Sequence, residues 1–586
     1  MVQAELNTLL NQLRSGRLDR REFMRRAAAL GLSIPLITAL ASVPGVSAQM
    51  APGSKSITRD EYKKQLQEKY PLSQPQNKGG QMIMGNISDI HTVNGILASD
   101  DPTFYITNMI FESLVGASFV DGSVVPGLAD SWELAADGVT YTFHLNQKAT
   151  WHDGQPFTAD DVKFSYDAEL NPDTGSQYTS SVAQDLESYR VVDPHTFEMK
   201  SKGQIATFLY DTAGTVAIMP KHIWQNVPPK SWINDPGSTG KDPSRVIGTG
   251  PFKFKEWVQG DHATVVRNDA YYDDVPYLDE LTLQVFPQEE TALNALKVGQ
   301  IDWYDVVPPA LVADTQSAQG VKVDIYDNFS FNWYAYNLDP TKSPFFQDVR
   351  VRRALFMALD RQLIADKIYL GLARVAVGPQ PVLSKSYDPS KITTHYNYDP
   401  NQAKTLLDQA GWTVGKNGIR EKDGKPLSFS VYYTQNVATY SQLLPYMQQA
   451  WKAVGADAIL KAIPFPSLQD RMEKSHDFDI VLLGFTWDVT GNQGPMFDTD
   501  SYNGGFNVMK YSNPEYDKLD TEQLHELDPQ KRIQLQIQLA NIENDDLPVG
   551  IFIFRKTPTA YNTRLQNYYA NGYSYFGTIN YVWAQK

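Results

Sequence analysis

Four consecutive apolar residues, Ile480, Val481, Leu482 and Leu483, stand between Asp477 and Asp479 on one side and Gly484 on the other. A strand without polar alternation has no face to give to water, so it belongs inside a sheet that is covered on both sides. The run opens into Phe485, Thr486, Trp487 and Asp488, and then into the breaker-rich 490–495. In open α/β sheets ligands collect at the carboxyl ends of buried strands, which makes these four residues a candidate ligand floor. The competing reading is a strand end that carries an ordinary solvated Asp.

A chain of 586 residues exceeds what one core supports and should divide into two or three domains. Cysteine is absent, which removes disulfides, thiolate metal sites, cysteine nucleophiles and a lipidated N-terminal cysteine together. The first 48 residues read as a leader outside the fold. Arg20, Arg21, Glu22, Phe23, Met24 and Arg25 resemble the twin-arginine export motif, with Asp19 where Ser or Thr is usual. Uncharged residues follow over 27–48, and Val46, Ser47 and Ala48 form a small-residue cleavage site. A retained membrane anchor is the alternative, weakened by Pro35 and Pro44. Removing 1–48 takes six Arg and three acidic residues from a net charge of −15 and leaves −18. So acidic a surface argues against nucleic acid and anionic lipid as partners.

Residues 49–79 read as a polar tether with a weak helix at 59–68. Strand and turn signals begin at Gln81, with a helix expected over 104–115 and a hairpin at 132–145 that turns at Asp137 and Gly138. Thr158 is placed to accept a hydrogen bond from the Asp161 amide at a helix start, and His152 with Asp153 read as structural. Asp348 caps a helix whose Arg350, Arg352 and Arg353 are expected on a solvated face. Asp399 with Pro400, and Asp528 with Pro529, start helices, the second over 530–543. Met447 and Trp451 belong to a core stripe ahead of Gly455. This alternation over 331–554 argues for an α/β lobe, while 80–330 is richer in strands.

No Gly-x-Ser-x-Gly elbow, His-Glu-x-x-His, Walker loop, dinucleotide fingerprint or twelve-residue calcium loop occurs. A catalytic set, a metal and a cofactor are therefore not expected. A secreted hydrolase built on two distant carboxylates is the alternative of another class.

Several motifs in order resemble the family 5 extracellular solute-binding proteins, the peptide-type receptors of ABC importers. They are 128–143 with 151–165, then 247–252, 268–279, 299–302, 337–361, 398–411 and 511–554. The resemblance covers about 80–586. It implies a two-lobed periplasmic-binding-protein fold of the α/β class, with a hinge and an additional strand-rich subdomain in the first lobe. The expected division is a first lobe 80–330 with a subdomain at about 118–244, a second lobe 331–555, and a return of 556–586 to the first. It implies a periplasmic, non-lipidated monomer that captures a small solute and hands it to the permease subunits of an importer. A short peptide is the favoured solute, because 484–488 are similar to the family segment whose acidic residue grips a peptide's α-amine. Asp488 would be that residue, with Phe485, Thr486 and Trp487 beside it. Oligosaccharides, opines and nickel chelates are the alternatives within the family. Gly494 and Pro495 stand where the family commonly has Asp-Pro.

Overall fold

The computed structural model describes residues 56–586 apart from 77, 436, 503–505 and 586. The expected leader and its twin-arginine motif lie outside the described residues. No helix of the described residues is long and apolar enough to cross a membrane.

Two long strands, Val321–Tyr336 and Val549–Asn562, pair antiparallel at the middle of an 11-stranded sheet. On one side the sheet continues through Ile480–Thr486, Ser428–Thr434 and Asp457–Ile463. Its other side runs through Trp303–Tyr304, Gln81–Asn86, Glu280–Val285, His262–Arg267 and Phe252–Val258. Successive side chains of a strand point to opposite faces. Ile480 and Leu482 accordingly enter one core with Tyr334, Phe552 and Trp451, whereas Val481 and Leu483 enter another with Phe331 and Ile551. The apolar run is thus buried on both faces, as its composition demands.

At the far side of the sheet Met82, Met84, Leu281 and Leu283 share a core with Tyr561, Leu565, Ile579 and Val582 of the chain's end. The expected hairpin is present as Ala129–Leu134 and Thr140–Leu145, part of a separate four-stranded sheet with its own core around Trp132, Phe143 and Trp151. His152 is structural: its Nε2 lies 3.0 Å from the Gly250 carbonyl and its Nδ1 accepts from Gly248 N. Burial pulls its pKa down to about 4. Met447 and Trp451 are fully buried on helix Tyr440–Ala453, as expected.

Four local expectations change. The helix placed at 104–115 is Asp101–Ile110, because Asp100 accepts from Thr103 N at 3.0 Å and Pro102 fits the first turn; Val115 opens a short strand. At the next helix start Thr158 accepts from the Asp161 amide as expected, but Asp161 does more than face the helix dipole, because its carboxylate returns the bond by accepting from Thr158 N at 3.0 Å. The segment expected as a polar tether or a weak helix is not a free tether: the expected helix is present as Arg59–Lys69, capped by Thr58 and Glu61, and it is docked by the ion pair of Arg59 with Asp273 at 2.7 Å.

The fourth change concerns the arginine face. Arg352 is buried, and its guanidinium donates to the Asp546, Leu547 and Phe346 carbonyls at 3.0, 3.1 and 2.6 Å. Arg353 donates to the Asp545 carbonyl at 2.6 Å. The Asp545, Asp546 and Leu547 carbonyls end helix Pro529–Asp546, where unpaired acceptors and the negative end of the helix dipole attract cations. The arginines lock one helix onto the end of another instead of facing water. Arg352→Ala leaves buried acceptors without donors and should lower unfolding free energy by about 2–4 kcal/mol, read as a lower urea midpoint. An unchanged midpoint would show that water replaces the guanidinium without loss.

Candidate functional site

Strand Ile480–Thr486 pairs antiparallel with Val321–Tyr336 along its whole length and parallel with Ser428–Thr434 over 480–482, so its carboxyl end is held from the Val321–Tyr336 edge. Phe485 and Trp487 continue the face of Val481 and Leu483. Trp487 is 7% exposed, stacked on Phe331 at 5.1 Å and against Phe497. Phe485 is half-buried against the same core, 5.8 Å from Phe331 and 5.4 Å from Phe506. The opposite face leaves the core after Leu482 and continues as Gly484, Thr486 and Asp488. Thr486 and Asp488 are exposed there, and Thr486 Oγ1 lies 2.8 Å from Ser330 Oγ. The four predicted site residues therefore separate: the carboxylate and hydroxyl face the opening, while the aromatics back the strand.

That backing is polar as well as apolar. With its amide oxygen turned to Trp487, Gln493 accepts from Trp487 Nε1 at 2.9 Å and donates to Glu543. Glu543 also accepts from Tyr516 at 3.0 Å, and burial raises its pKa well above the carboxylate range.

The loop after Asp488 is seated on helices Pro514–His525 and Pro529–Asp546. Gln536 donates to the Thr490 carbonyl at 3.0 Å and Gln523 to Asn492 at 3.1 Å. At Gly494 a Cβ would meet Asp520 Oδ2 at 2.3 Å. Any side chain collides there, and an Asp would add a second carboxylate against the first. The departure from Asp-Pro is thus matched to Asp520.

Electrostatics distinguish this opening from an ordinary strand end. Asp488 Oδ1 accepts from Thr490 N at 2.7 Å and from the Thr490 hydroxyl. Although its side chain reaches solvent, protein crowds around it, and that loss of bulk water raises its pKa against the opposing effects of Thr490 and Arg532. Asp211 faces it from the neighbourhood of the four-stranded sheet, on a π turn over Leu209–Ala213. Burial, and then Asp488, push Asp211 up to about 7. The π turn is brought there by direct contacts with the turn after Pro514–His525. Ala206 N donates to the Leu524 carbonyl at 2.8 Å, His525 Nδ1 lies 2.6 Å from the Gln204 carbonyl, and Leu527 packs among Phe208 and Leu209. Arg532, 7% exposed, donates Nε to Gln523 Oε1 at 2.9 Å and keeps one terminal nitrogen, Nη2, unpaired. Nothing local marks Asp211 or Arg532 in the sequence, because their role depends on which surfaces meet.

The comparisons with known proteins agree with this architecture. Residues 123–507 match the model of the bacterial extracellular solute-binding proteins, family 5. The oligopeptide-binding protein AppA of Bacillus subtilis is 29% identical over 497 residues, 84% of this chain and 87% of the relative. The periplasmic oligopeptide-binding protein OppA of Salmonella typhimurium is 26% identical over 84% of this chain and 89% of its own. The solved structure of AppA with a nonapeptide superposes with a TM-score of 0.73 at 27% identity, covering 87% of this chain and all of that one. The fold and these relatives define a two-lobed solute-binding receptor. The chain belongs to the bacterial extracellular solute-binding proteins of family 5, a family of receptors and not of enzymes.

Two carboxylates held close to each other, with Arg532 offsetting them only in part, oppose ionisation. The pKa of Asp211 lies above its ordinary 3.8, so its contribution to stability is complete at low pH and is lost as pH rises towards about 7. Asp211→Asn should make the ligand-free protein more stable than wild type by about 1–3 kcal/mol at pH 7.5, after allowance for solvent screening, with the difference shrinking towards pH 4.5. Melting curves at the two pH values measure this; a pH-independent difference would contradict the repulsion.

Proposed function

We propose that this receptor captures short peptides at the opening beside Asp488 and delivers them to the permease subunits of an ABC importer. The observation that carries the reading is the placing of Asp488 and Asp211 against each other, with excess negative charge that a peptide's α-ammonium neutralises. A buried ammonium requires a carboxylate partner, and a buried carboxylate requires a cation, so ligand and site resolve each other's cost. The oligopeptide-binding relatives support the same solute class. A sugar would need an aromatic platform, and Trp487 is turned into the core instead.

In this proposal the first lobe is 80–330 with a subdomain at 118–244, the second is 331–555, and 556–586 returns to the first. Asp211 then belongs to the subdomain and Asp488 to the second lobe, and closure joins them around the ammonium. A ligand shifts the protein to the closed form only by its differential affinity, which two carboxylates from opposite lobes provide. Twin-arginine export, removal of 1–48, a monomeric state and a periplasmic location without lipid complete the proposal.

Asp488→Asn should weaken a peptide with a free amine by about 2–5 kcal/mol, roughly thirty-fold to several thousand-fold. Wild type should reject the N-acetylated peptide and the variant should lose most of that discrimination, both read by calorimetry. Unchanged affinity of Asp488→Asn for the free peptide removes the anchor role.

A further inference from the structure

Beside the Asp488 loop one lysine is withdrawn from water without a partner. The Nζ of Lys385 is buried, makes no hydrogen bond among the described residues, and forms no ion pair with a described carboxylate. A lone buried ammonium is costly until a carboxylate answers it. The residues on either side, Ser384 and Ser386, are buried and engage each other, their hydroxyl oxygens 2.9 Å apart. Leu383, two residues earlier, packs with Val489 and Tyr573 against the core that holds Trp487. Lys385 is thus held where the segment after the central sheet, the Asp488 loop and the end of the chain converge.

A carboxylate stands at the same junction on a different element. Asp121 lies at the tip of the hairpin formed by Val115–Ala117 and Val124–Pro126, and Val115 and Val124 enter the core of the four-stranded sheet. Next to it Gly122 has a φ of +72°, and a Cβ there would meet Tyr573 at 2.8 Å and Val489 at 3.2 Å. On the other side of that turn, a Cβ at Gly572 would meet Leu383 at 2.2 Å. The hairpin tip and the Lys385 segment therefore close on residues 572–573 from two sides, with glycines where they come nearest. Burial pulls the Lys385 pKa down, Asp121 opposes that fall and Arg532 adds to it. Against burial, the Asp121 carboxyl is held below its usual value by bonds from Ser123 and then by Lys385.

The tip is braced from behind. Phe119 N donates to the Tyr62 hydroxyl of helix Arg59–Lys69 at 3.2 Å, and the Phe119 ring lies 4.9 Å from that of Tyr70. Asn571 donates to the Phe119 carbonyl at 2.7 Å. A carboxylate on so firmly held a tip keeps its direction when the opposite lobe moves.

We propose that Asp121 and Lys385 are the two halves of a latch between the lobes, meeting as a direct ion pair when the receptor closes fully. The proposal rests on the two-lobed division given above, which puts Asp121 in the first lobe and Lys385 in the second, and adds a closing contact that never touches the solute. Apparent affinity is reduced by the fraction of molecules outside the binding-competent form, so such a latch raises affinity for every solute alike.

The test combines small-angle scattering of the purified full chain, freed of bound ligand, with calorimetry using tri-alanine as the probe. Lys385→Met, Asp121→Asn, the double variant, and the charge swap of Lys385→Asp with Asp121→Lys are compared with wild type. Each single variant should bind tri-alanine roughly five- to fifty-fold more weakly and show a larger ligand-free radius of gyration at low salt. The double variant should be no weaker than either single one, and the charge swap should recover most of the loss. Wild-type affinity in both single variants, or losses that add in the double variant, overturns the latch. A loss in Lys385→Met with none in Asp121→Asn shows that the lysine meets the solute, which also overturns it. Failure of tri-alanine to bind wild type overturns the peptide reading instead, and the scattering then decides the latch, which equal ligand-free radii in wild type and single variants overturn.

Discussion

The antiparallel pairing of Val321–Tyr336 with Val549–Asn562 is the constraint on which the rest depends. These two strands hold residues of every core along the main sheet: Val323 and Ala560 at one end, Tyr334 and Phe552 at the other. A one-residue slip in either would exchange the faces of both, so the register is enforced from both ends. The one sizeable interruption of that register lies between Asp327 and Phe331, beside the opening. Irregular pairing at this point gives the two halves of the sheet a place to bend without disturbing either core.

The opening follows from the same arrangement. A strand paired along its whole length with Val321–Tyr336 delivers its carboxyl end rigidly, and alternation turns alternate residues to the core and away from it. Phe485 and Trp487 hold the strand down through Phe331 and Phe497, and in doing so present Thr486 and Asp488 outwards. The loop behind them is tied by Gln523, Gln536 and the close approach of Gly494 to Asp520. Charge is therefore kept in place by groups that never meet the ligand. Asp211 and Asp488 together outweigh Arg532 in charge, and in the proposed peptide reading that surplus is what a cationic ligand would neutralise.

Local signals made much of this legible. The unbroken run at 480–483 identified a strand buried on both faces, and Asp399 and Asp528 each cap the helix they were expected to start, at 3.0 and 2.9 Å. Asp488 was singled out because it follows the carboxyl end of that strand. Side-chain direction was less legible: period two places Phe485 opposite Asp488, yet aromatics beside a carboxylate suggest a shared floor until the core is seen. Arg352 looked like a surface charge because helical periodicity cannot report that another helix ends on it. Asp211 and Arg532 carry no local signature at all. Each acquires meaning only from the meeting of surfaces that are distant in sequence, Asp211 lying 277 residues from Asp488.

The central claim is that the site beside Asp488 takes a short peptide by its charged amine. Mass spectrometry of the ligand released by denaturing the purified protein tests it most directly. The account predicts short linear peptides, varied in side chain, with free amino ends. A released ligand without an amine, whether sugar or chelate, would contradict it.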